Sequence, residues 1–360
     1  MAETQTEVGV VGLGTHGTNH AEILTGMGHE VFGADTNPKS RREFQKRFDT
    51  TTYDSPSDLF QSGIDAAVIS TPNKFHEPTA TEAMDVGLDV LLEKPLAHTL
   101  ESAERIHEAA IETGNICMVG FHHRYRNACQ LVKEYIDEGY FGEITHIDAK
   151  FIRRRGVPGR GTWYTSEDIA GGGAMIDIGA HLMDMLLYFS GWAEIDEVMA
   201  TKRSDFGQHG DYAYIEMWGE DDEAKMYDVE DSVTAACTFE HGMTANIEVA
   251  WAANTNSSHS YKLRGTEAGA HVDIVEPHRE QVEGVTERRN QLELFEVRKA
   301  CVDHYVDSEV VVPDNDPYAA QLETFIDAVV AGERPPTTNV DEALRVQRAV
   351  DRVYREGKPP

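Results

Sequence analysis

The chain has 360 residues with 40% hydrophobic content, which is enough for two domains with ordinary cores. Its 32 basic and 63 acidic residues give a net charge of −31, which repels nucleic-acid phosphates and excludes DNA and RNA as expected partners. Apolar runs fall far short of the roughly 20 residues of a membrane-spanning helix, and the acidic N-terminus is unlike a secretory signal. We therefore expect a cytoplasmic protein without a membrane segment.

The acidic residues are spread along the chain and form no tail, which is typical of the hydrated surface of a halophilic protein. A high-salt cytoplasm is the expected environment. The four cysteines, Cys117, Cys129, Cys237 and Cys301, show neither a Cys-x-x-Cys pair nor a zinc-ligand spacing. The sequence therefore predicts reduced, structural cysteines.

Short β-branched runs alternate with helix-like stretches through the first third of the chain, which predicts an α/β domain with a parallel sheet and helices on both faces. Each predicted strand ends in residues capable of chemistry, and in a parallel sheet those ends lie along one edge, where ligands bind. We place this dinucleotide-binding domain at residues 1–124. Its predicted strands are Val8–Val11, Glu30–Ala34, Ala66–Ser70, Val90–Leu92 and Ile116–Val119.

Longer alternating runs follow, at Ile144–Ile152, Ser232–Phe239 and Met243–Trp251. They predict a second, α+β domain at residues 125–360 with a largely antiparallel sheet. Two helices are predicted near the end, at about 317–331 and 340–355, and we expect them to pack back toward the first domain.

A Gly-x-Gly-x-x-Gly motif, Gly12 to Gly17, directly follows the first predicted strand and opens a helix-like stretch. Such glycines let backbone amides approach a pyrophosphate at a helix N-terminus. Asp35 ends the second strand, where a carboxylate accepts hydrogen bonds from the adenosine ribose and repels a 2′-phosphate. The pattern favours NAD over NADP, although basic residues downstream of Asp35 leave NADP as the alternative. Those residues are Lys39, Arg41 and Arg42.

Two further segments carry chemistry. In Glu93-Lys94-Pro95 the proline restricts the lysine backbone to extended conformations, with a cis bond as an option, so Lys94 is either a fixed cation beside the nicotinamide or a solvated turn residue. Asp177 and His181 lie four residues apart on one face of a predicted helix, with Asp184 one turn further. They are either an oriented general base or a buried histidine near capping carboxylates.

Taken together, these motifs resemble the glucose-fructose oxidoreductase and inositol dehydrogenase family, Gfo/Idh/MocA. The resemblance covers nearly the whole chain. It implies a Rossmann domain joined to an α+β domain with a large, mostly antiparallel open sheet that often serves for oligomerisation, here as a homodimer or homotetramer. It also implies catalytic roles for Lys94, Asp177 and His181. The matching segments are Gly12 to Gly17, Ser70-Thr71-Pro72-Asn73 with His76, Glu93-Lys94-Pro95, Gly120-Phe121-His122-His123-Arg124, and the glycine-rich stretch through Asp177 and His181.

Residue by residue, the motifs divide into two predicted contact sets. The cofactor set is Gly12, Leu13, Gly14, Thr15, His16, Gly17, Asp35, Ser70, Thr71, Pro72, Asn73, His76, Glu93 and Lys94. The substrate set is Lys94, His122, Arg124, Arg153, Trp163, Tyr164, Asp177 and His181. Four arginines between Arg153 and Arg160 either bind an acidic sugar or phosphate, or hold neighbouring carboxylates or an adjoining subunit. Trp163 and Tyr164 either stack on a sugar or the nicotinamide, or are core aromatics.

The prediction is an NAD-dependent dehydrogenase acting on a sugar or polyol hydroxyl. Two alternatives stay open: an NADPH-dependent keto-sugar reductase, and a non-catalytic dinucleotide sensor. A zinc site made of His122, His123 and His181 is a further alternative. Because neighbouring residues of an extended strand point to opposite faces and no pair has His-x-x-x-His spacing, we expect no metal.

Overall fold

A computed structural model describes residues 5–209, 219, 221–222, 227–274 and 291–358. In chain order the strands are β1 Glu7–Val11, β2 Glu30–Ala34, β3 Thr52–Tyr53, β4 Ala66–Ile69, β5 Asp89–Leu92, β6 Cys117–Val119, β7 Ile144–Ile152, β8 Ile195–Arg203, β9 Ser232–Phe239, β10 Thr244–Ala250, β11 Ser258–Gly265, β12 Ala268–Asp273, β13 Gln291–Arg298, β14 His304–Val310 and β15 Gly357–Lys358. The helices are α1 Thr15–Gly26, α2 Pro38–Phe48, α3 Pro56–Phe60, α4 His76–Asp85, α5 Leu100–Thr113, α6 Asn127–Asp137, α7 Glu167–Ala170, α8 Ala174–Phe189, α9 Pro317–Ala331 and α10 Val340–Glu356.

Two compact units divide these elements, and neither is continuous in sequence. The first contains the chain up to His122 together with Asp168–Gly171 and Asp316–Arg348. The second contains His123–Glu167, Gly172–Asn315 and the chain from Ala349 onward. The long N-terminal segment of the first unit ends at His122, close to the predicted boundary at residue 124.

The first unit is built on a six-stranded parallel sheet with the order β3-β2-β1-β4-β5-β6. All four residues of β4 are buried, as expected for a strand covered on both faces. The order reverses between β1 and β4, so the loops after these two strands flank a ligand-binding crevice. The predicted Rossmann fold is confirmed; only β3, two residues long, had no signal in the sequence.

The two late helices begin and end at the predicted signals. The Asp316 side chain accepts hydrogen bonds from the amides of Tyr318 and Ala319, and α9 ends at the left-handed Gly332. Asn339 accepts from the amides of Asp341 and Glu342 at the start of α10. Within the first unit, α9 packs on α1, and the Gln321 amide donates to the Val119 carbonyl at 3.3 Å.

The second unit contains a nine-stranded sheet with the order β14-β13-β12-β11-β7-β10-β9-β8-β15. Two neighbouring pairs are parallel, β7 with β10 and β8 with β15, and the others are antiparallel. This agrees with the predicted large, mostly antiparallel sheet. Helix α8 packs on β7, β9 and β10, and 15 of its 16 residues are buried. Side chains of α8 are therefore held rigidly by the sheet beneath them.

None of the helices in the described ranges is both long and apolar enough to cross a membrane. All four cysteines are free thiols, and only Cys301 is exposed.

Candidate functional site

The glycine loop after β1 depends on missing side chains. Gly12 has φ +88°, and a Cβ there would lie 2.6 Å from the Ser70 carbonyl oxygen. A Cβ on Gly17 would lie 2.0 Å from the Gly12 carbonyl oxygen. By contrast, a Cβ on Gly14 would meet nothing within 4 Å. Gly12 and Gly17 therefore shape the turn, and Gly14 leaves open space in front of the α1 N-terminus, where a pyrophosphate fits.

Asp35 at the end of β2 holds this loop. Its carboxylate accepts hydrogen bonds from the amides of Leu13 at 2.8 Å and Asn37 at 2.7 Å. The Arg41 guanidinium donates to the Asp35 carbonyl oxygen at 2.6 Å. Asp35 thus has a positioning role for the loop in addition to the ribose contact that the sequence predicts. Two loop residues of the predicted cofactor set, Thr15 and His16, are exposed.

A second wall of the crevice comes from the segment after β4. Ser70 and Thr71 follow the strand, and Pro72 precedes a short 3-10 turn. His76 is fully buried, and its two ring nitrogens each lie 2.9 Å from a carbonyl oxygen, of Thr71 and of Pro95. Burial lowers the pKa of His76, against backbone hydrogen bonds that raise it. His76 therefore joins the loops after β4 and β5 through the Thr71 and Pro95 carbonyls.

The same pattern holds for Asn73. Its side-chain amide is buried and donates to the Ala170 carbonyl at 2.8 Å, within the first unit. The Asn73 side chain therefore fixes its loop.

Glu93 and Lys94 follow β5 and are held by hydrogen bonds to the Glu93 carboxylate. The Glu93 carboxylate lies 2.7 Å from Nε2 of His20 and accepts the Lys94 amide at 3.2 Å. Burial would raise the pKa of Glu93, but the hydrogen bond from His20 and nearby positive charges lower it well below its usual range. The Lys94–Pro95 bond is cis, the option that the sequence left open. An ionised Glu93 thus anchors the backbone from which Lys94 extends.

His122 belongs to a 3-10 turn, His122–Tyr125, and not to an extended strand. His122 and His123 therefore do not point to opposite faces of a strand, and this reason for expecting no metal does not apply. In the first unit the His122 ring stacks on Tyr318, with centroids 4.0 Å apart and planes 20° apart, and it is 7% exposed. Most of its surface is thus used in packing, which leaves little for the predicted substrate contact.

Asp177 and His181 lie on α8, both nearly buried at 7% and 6% exposure. The Asp177 Oδ2 atom accepts a hydrogen bond from the Trp251 indole at 2.9 Å and lies 3.9 Å from Nη1 of Arg153. An indole donor and a guanidinium both favour the ionised carboxylate. Arg153 therefore reaches the predicted catalytic carboxylate, which agrees with its inclusion in the substrate set and equally with a carboxylate-holding role.

His181 contacts a row of buried aromatic rings in the second unit. Its ring centroid lies 4.7 Å from that of His123, which in turn lies 4.8 Å from that of His259. The Arg126 guanidinium donates to Nδ1 of His123 at 3.1 Å. An arginine is always a donor, so this bond makes Nδ1 of His123 an acceptor and holds that ring neutral. The predicted base thus lies against an uncharged imidazole.

Arg124, a residue of the predicted substrate set, lies in the buried part of the second unit. Its side chain is 1% exposed and pairs with Asp184, from Nε to both carboxylate oxygens at 3.0 and 2.9 Å. Its guanidinium also lies over the rings of Tyr188 and Trp192. A fully buried, bidentate pair is a structural contact of α8, and it also accounts for Asp184.

The basic cluster before α8 is partly neutralised. Arg160 is buried and forms a bidentate pair with Asp221, at 2.9 and 2.7 Å. Arg155 donates to the side chain of Asn254 and lies over the Phe206 ring. These contacts support the alternative in which Arg155 and Arg160 hold neighbouring groups of the protein. Trp163 and Tyr164 stack on each other with centroids 3.7 Å apart and remain partly exposed.

Several residues that matter to this site carried no usable signal. Trp251, Glu230 and Tyr354 contact α8 from distant parts of the chain. Each of the three lies outside the motifs identified in the sequence. The signal that did exist is the run of glycines before α8, which indicates that other parts of the chain pack closely against this segment.

Known proteins resemble the chain in sequence and fold. A UDP-kanosamine synthase oxidoreductase subunit assigned in Amycolatopsis mediterranei is 33% identical over 68% of this chain and 68% of its own length. The D-glucoside 3-dehydrogenase of Escherichia coli is 32% identical over 63% of this chain and 64% of its own length. A levoglucosan dehydrogenase solved with NADH and levoglucosan has the same fold, with a TM-score of 0.81, 21% identity and coverage of 98% and 97% of the two chains.

Two family profiles match separate parts of the chain. Residues 6–121 match the oxidoreductase family with an NAD-binding Rossmann fold, and residues 129–271 match the GFO/IDH/MocA C-terminal domain. Both halves thus point to one family, in agreement with the glycine loop, the Glu-Lys-Pro turn and the helix with Asp177 and His181. The chain belongs to the GFO/IDH/MocA family of oxidoreductases.

Proposed function

We propose that this oxidoreductase oxidises a secondary alcohol of a sugar or polyol to a ketone, with the hydride passing from the carbon that carries the hydroxyl to NAD. The observation that carries the proposal is the oriented carboxylate of Asp177, held by Trp251, on the helix that also presents His181. A carboxylate and an imidazole one helical turn apart suit the removal of an alcohol proton. A non-catalytic dinucleotide sensor has no need for a carboxylate held in this way.

Each of the three proposed catalytic groups has its own task. His181 accepts the hydroxyl proton at an imidazole nitrogen, and Asp177 stabilises the imidazolium that results. Lys94, on the backbone anchored by Glu93, stabilises the developing oxyanion. When bound, NAD supplies a nicotinamide ring that takes up the hydride. The protein residues bind, orient and move the proton.

NAD is the proposed cofactor in preference to NADP. Asp35 supports this choice because its carboxylate is fixed at the end of β2 by the amides of Leu13 and Asn37. A fixed negative charge there repels a 2′-phosphate. The neighbouring Arg41 is bonded to the Asp35 carbonyl, and Lys39 lies near Glu43, at 3.9 Å, on the surface of α2. The loop residues Gly12, Gly14 and Gly17, with the backbone after β4, would hold the pyrophosphate.

The experiment is a reduction assay at the absorbance of the reduced nicotinamide, in high-salt buffer, with NAD and NADP offered against glucosides, sugar acids and polyols. The name of the Escherichia coli relative puts glucosides oxidised at carbon 3 first in this panel. We expect turnover with NAD that His181→Ala and Lys94→Ala each lower by at least about 100-fold. NAD affinity should stay within about twofold in His181→Ala. Unchanged turnover in that variant would remove His181 from the mechanism.

The reductase alternative keeps the same residues with reversed roles and a preference for NADPH, so the cofactor comparison in the assay decides it. We also propose that the protein works in a high-salt cytoplasm, which its net charge of −31 supports. Its proposed assembly is a homodimer or homotetramer. Light scattering after gel filtration tests the assembly. Activity that needs no added salt would argue against the high-salt environment.

A further inference from the structure

The N-terminus of α8 is capped by two residues that are distant in sequence. The first amides of a helix have no partner within the helix and must bond elsewhere. Here the Gly173 amide donates to Oε2 of Glu230 at 3.0 Å and the Met175 amide to Oε1 at 2.9 Å. The Ala174 amide donates to the Glu230 backbone carbonyl at 3.1 Å. One residue thus accepts three of these hydrogen bonds.

Tyr354, near the end of α10, completes the cap. Its hydroxyl accepts the Ile176 amide at 3.1 Å and donates to Oε1 of Glu230 at 2.8 Å. The regular hydrogen bonds of the α-helix begin at Asp177, whose amide donates to the Gly173 carbonyl at 3.0 Å. All four amides before Asp177 are therefore satisfied by Glu230 and Tyr354.

The cap also explains two of the three glycines before α8, Gly172 and Gly173. A Cβ on Gly172 would lie 2.2 Å from the Tyr354 hydroxyl, and a Cβ on Gly173 would lie 1.8 Å from the Glu230 carbonyl oxygen. Any side chain at either position would push the two capping residues away from the helix. The absence of side chains at Gly172 and Gly173 thus leaves room for Glu230 and Tyr354 at the start of α8.

The Glu230 carboxyl is partly buried and lies among three hydrogen-bond donors. Burial raises its pKa, and the bonds from Met175, Tyr354 and Gly173 oppose that shift. The Tyr354 hydroxyl lies in the same environment, where burial and the neighbouring Glu230 raise its pKa well above the usual range. Tyr354 therefore remains a neutral donor to the carboxyl over the working pH range.

We propose that Glu230 and Tyr354 are positioning residues for catalysis, which set the register of the first turn of α8 and so place Asp177 and His181. The inference rests on the proposed function of those two residues. Asp177 directly follows the capped amides, and His181 lies one turn further along the same helix. A displacement of about 1 Å in such groups costs on the order of 100-fold in rate.

The first test is Tyr354→Phe, which removes the hydroxyl and keeps the ring beneath the Lys202 ammonium, 5.5 Å from its centroid. We expect kcat to fall about tenfold, with KM for NAD within about twofold, since the loss lies in the second unit. The matched control is Tyr305→Phe, which removes the hydroxyl of a tyrosine that is 82% exposed and should leave kcat unchanged. An unaltered kcat in Tyr354→Phe would overturn the proposal.

Glu230→Gln is the stronger second variant. The two carboxylate oxygens of Glu230 accept from three donors, the Gly173 and Met175 amides and the Tyr354 hydroxyl. Glutamine offers one carbonyl oxygen and an NH₂ group in their place, so kcat should fall further than in Tyr354→Phe. Where this variant folds poorly, Tyr354→Phe still decides the question.

A double-mutant cycle separates positioning from general damage. If Tyr354 acts through His181, Tyr354→Phe should not lower the residual rate of His181→Ala any further. An undiminished tenfold loss in that background would contradict a positioning role. Hydrogen exchange gives a readout that does not depend on activity: protection of the amides of residues 173–176 should fall about tenfold in Tyr354→Phe. If His181→Ala keeps full activity, the proposed function fails, whereas unchanged protection overturns the cap itself.

Discussion

The indole nitrogen of Trp251 donates a 2.9 Å hydrogen bond to Oδ2 of Asp177, and both side chains are buried. Trp251 lies directly after β10, on which α8 packs, so the sheet orients the carboxylate on the helix. A hydrogen bond to a charged group contributes about 1.5–3 kcal/mol, and here part of that energy fixes the direction of Asp177.

Trp251→Phe should therefore lower kcat by about 10- to 100-fold, because the carboxylate loses its donor while most of the packing remains. Steady-state kinetics with NAD and the identified substrate measure this, and NAD binding serves as the check on folding. The same substitution in an Asp177→Asn background should have little further effect. Additive losses in the two variants would mean that Trp251 acts by another route.

Arg124 and Asp184 form the buried pair of the second unit, each 1% exposed. Removing one partner leaves a buried charge uncompensated, so Arg124→Met should lower the free energy of unfolding by about 3–5 kcal/mol. Urea unfolding measures the change. The control is Arg154→Met: Arg154 is exposed and shows no side-chain contact among the described residues, so stability should stay within about 0.5 kcal/mol. A small effect of Arg124→Met would show that the pair is not essential to the fold.

The first unit was predictable from sequence because its signals are local. Glycines at fixed offsets after Val11, the carboxylate of Asp35 at a strand end and a proline after Lys94 each report the conformation that they adopt. Strand β2 and helix α9 have the predicted bounds. Where a residue's neighbours are close in sequence, the prediction from the sequence pattern agrees with the structure.

The cap and support of α8 were not predictable in this way. Trp251, Glu230 and Tyr354 reach the helix across 55 to 178 residues of sequence, so their partners are decided by how strands and helices pack. For the same reason the motif that contains Arg124 does not reveal its buried partner, Asp184, which accepts hydrogen bonds from the guanidinium. Polar strands such as β8 likewise gain their stability from neighbours in the sheet, which a single sequence does not display.

Acid should weaken one contact of the basic cluster in a specific pH window. The side-chain hydrogen bonds from Arg160 lower the pKa of Asp221, against burial, which raises it. A depressed folded-state pKa means that the stabilisation is present above the unfolded value, about 3.9, and is lost as pH falls through the folded value. Asp221→Asn should thus cost about 1–2 kcal/mol at pH 6, and the difference from wild type should shrink below about pH 4.

Urea unfolding at pH 6 and pH 3.5 measures this difference. Asp303→Asn removes the same charge from an exposed position and should change stability little at either pH. A difference for Asp221→Asn that is equally large at both pH values would mean that its effect does not come from ionisation.

The glycine loop allows a prediction that separates folding from cofactor binding. In Gly17→Ala the new methyl would lie 2.0 Å from the Gly12 carbonyl oxygen, a backbone atom that cannot move without reshaping the turn. The free energy of unfolding should therefore fall by about 1–3 kcal/mol.

In Gly14→Ala the methyl meets no protein atom within 4 Å, and the backbone there is already extended, at φ −77°. Stability should then change by less than about 0.5 kcal/mol. The same methyl projects into the space that the pyrophosphate needs, so the Kd for NAD should rise at least about tenfold. Thermal unfolding and NAD titration of both variants measure the two effects separately. Tight NAD binding by Gly14→Ala would place the cofactor elsewhere than in front of α1.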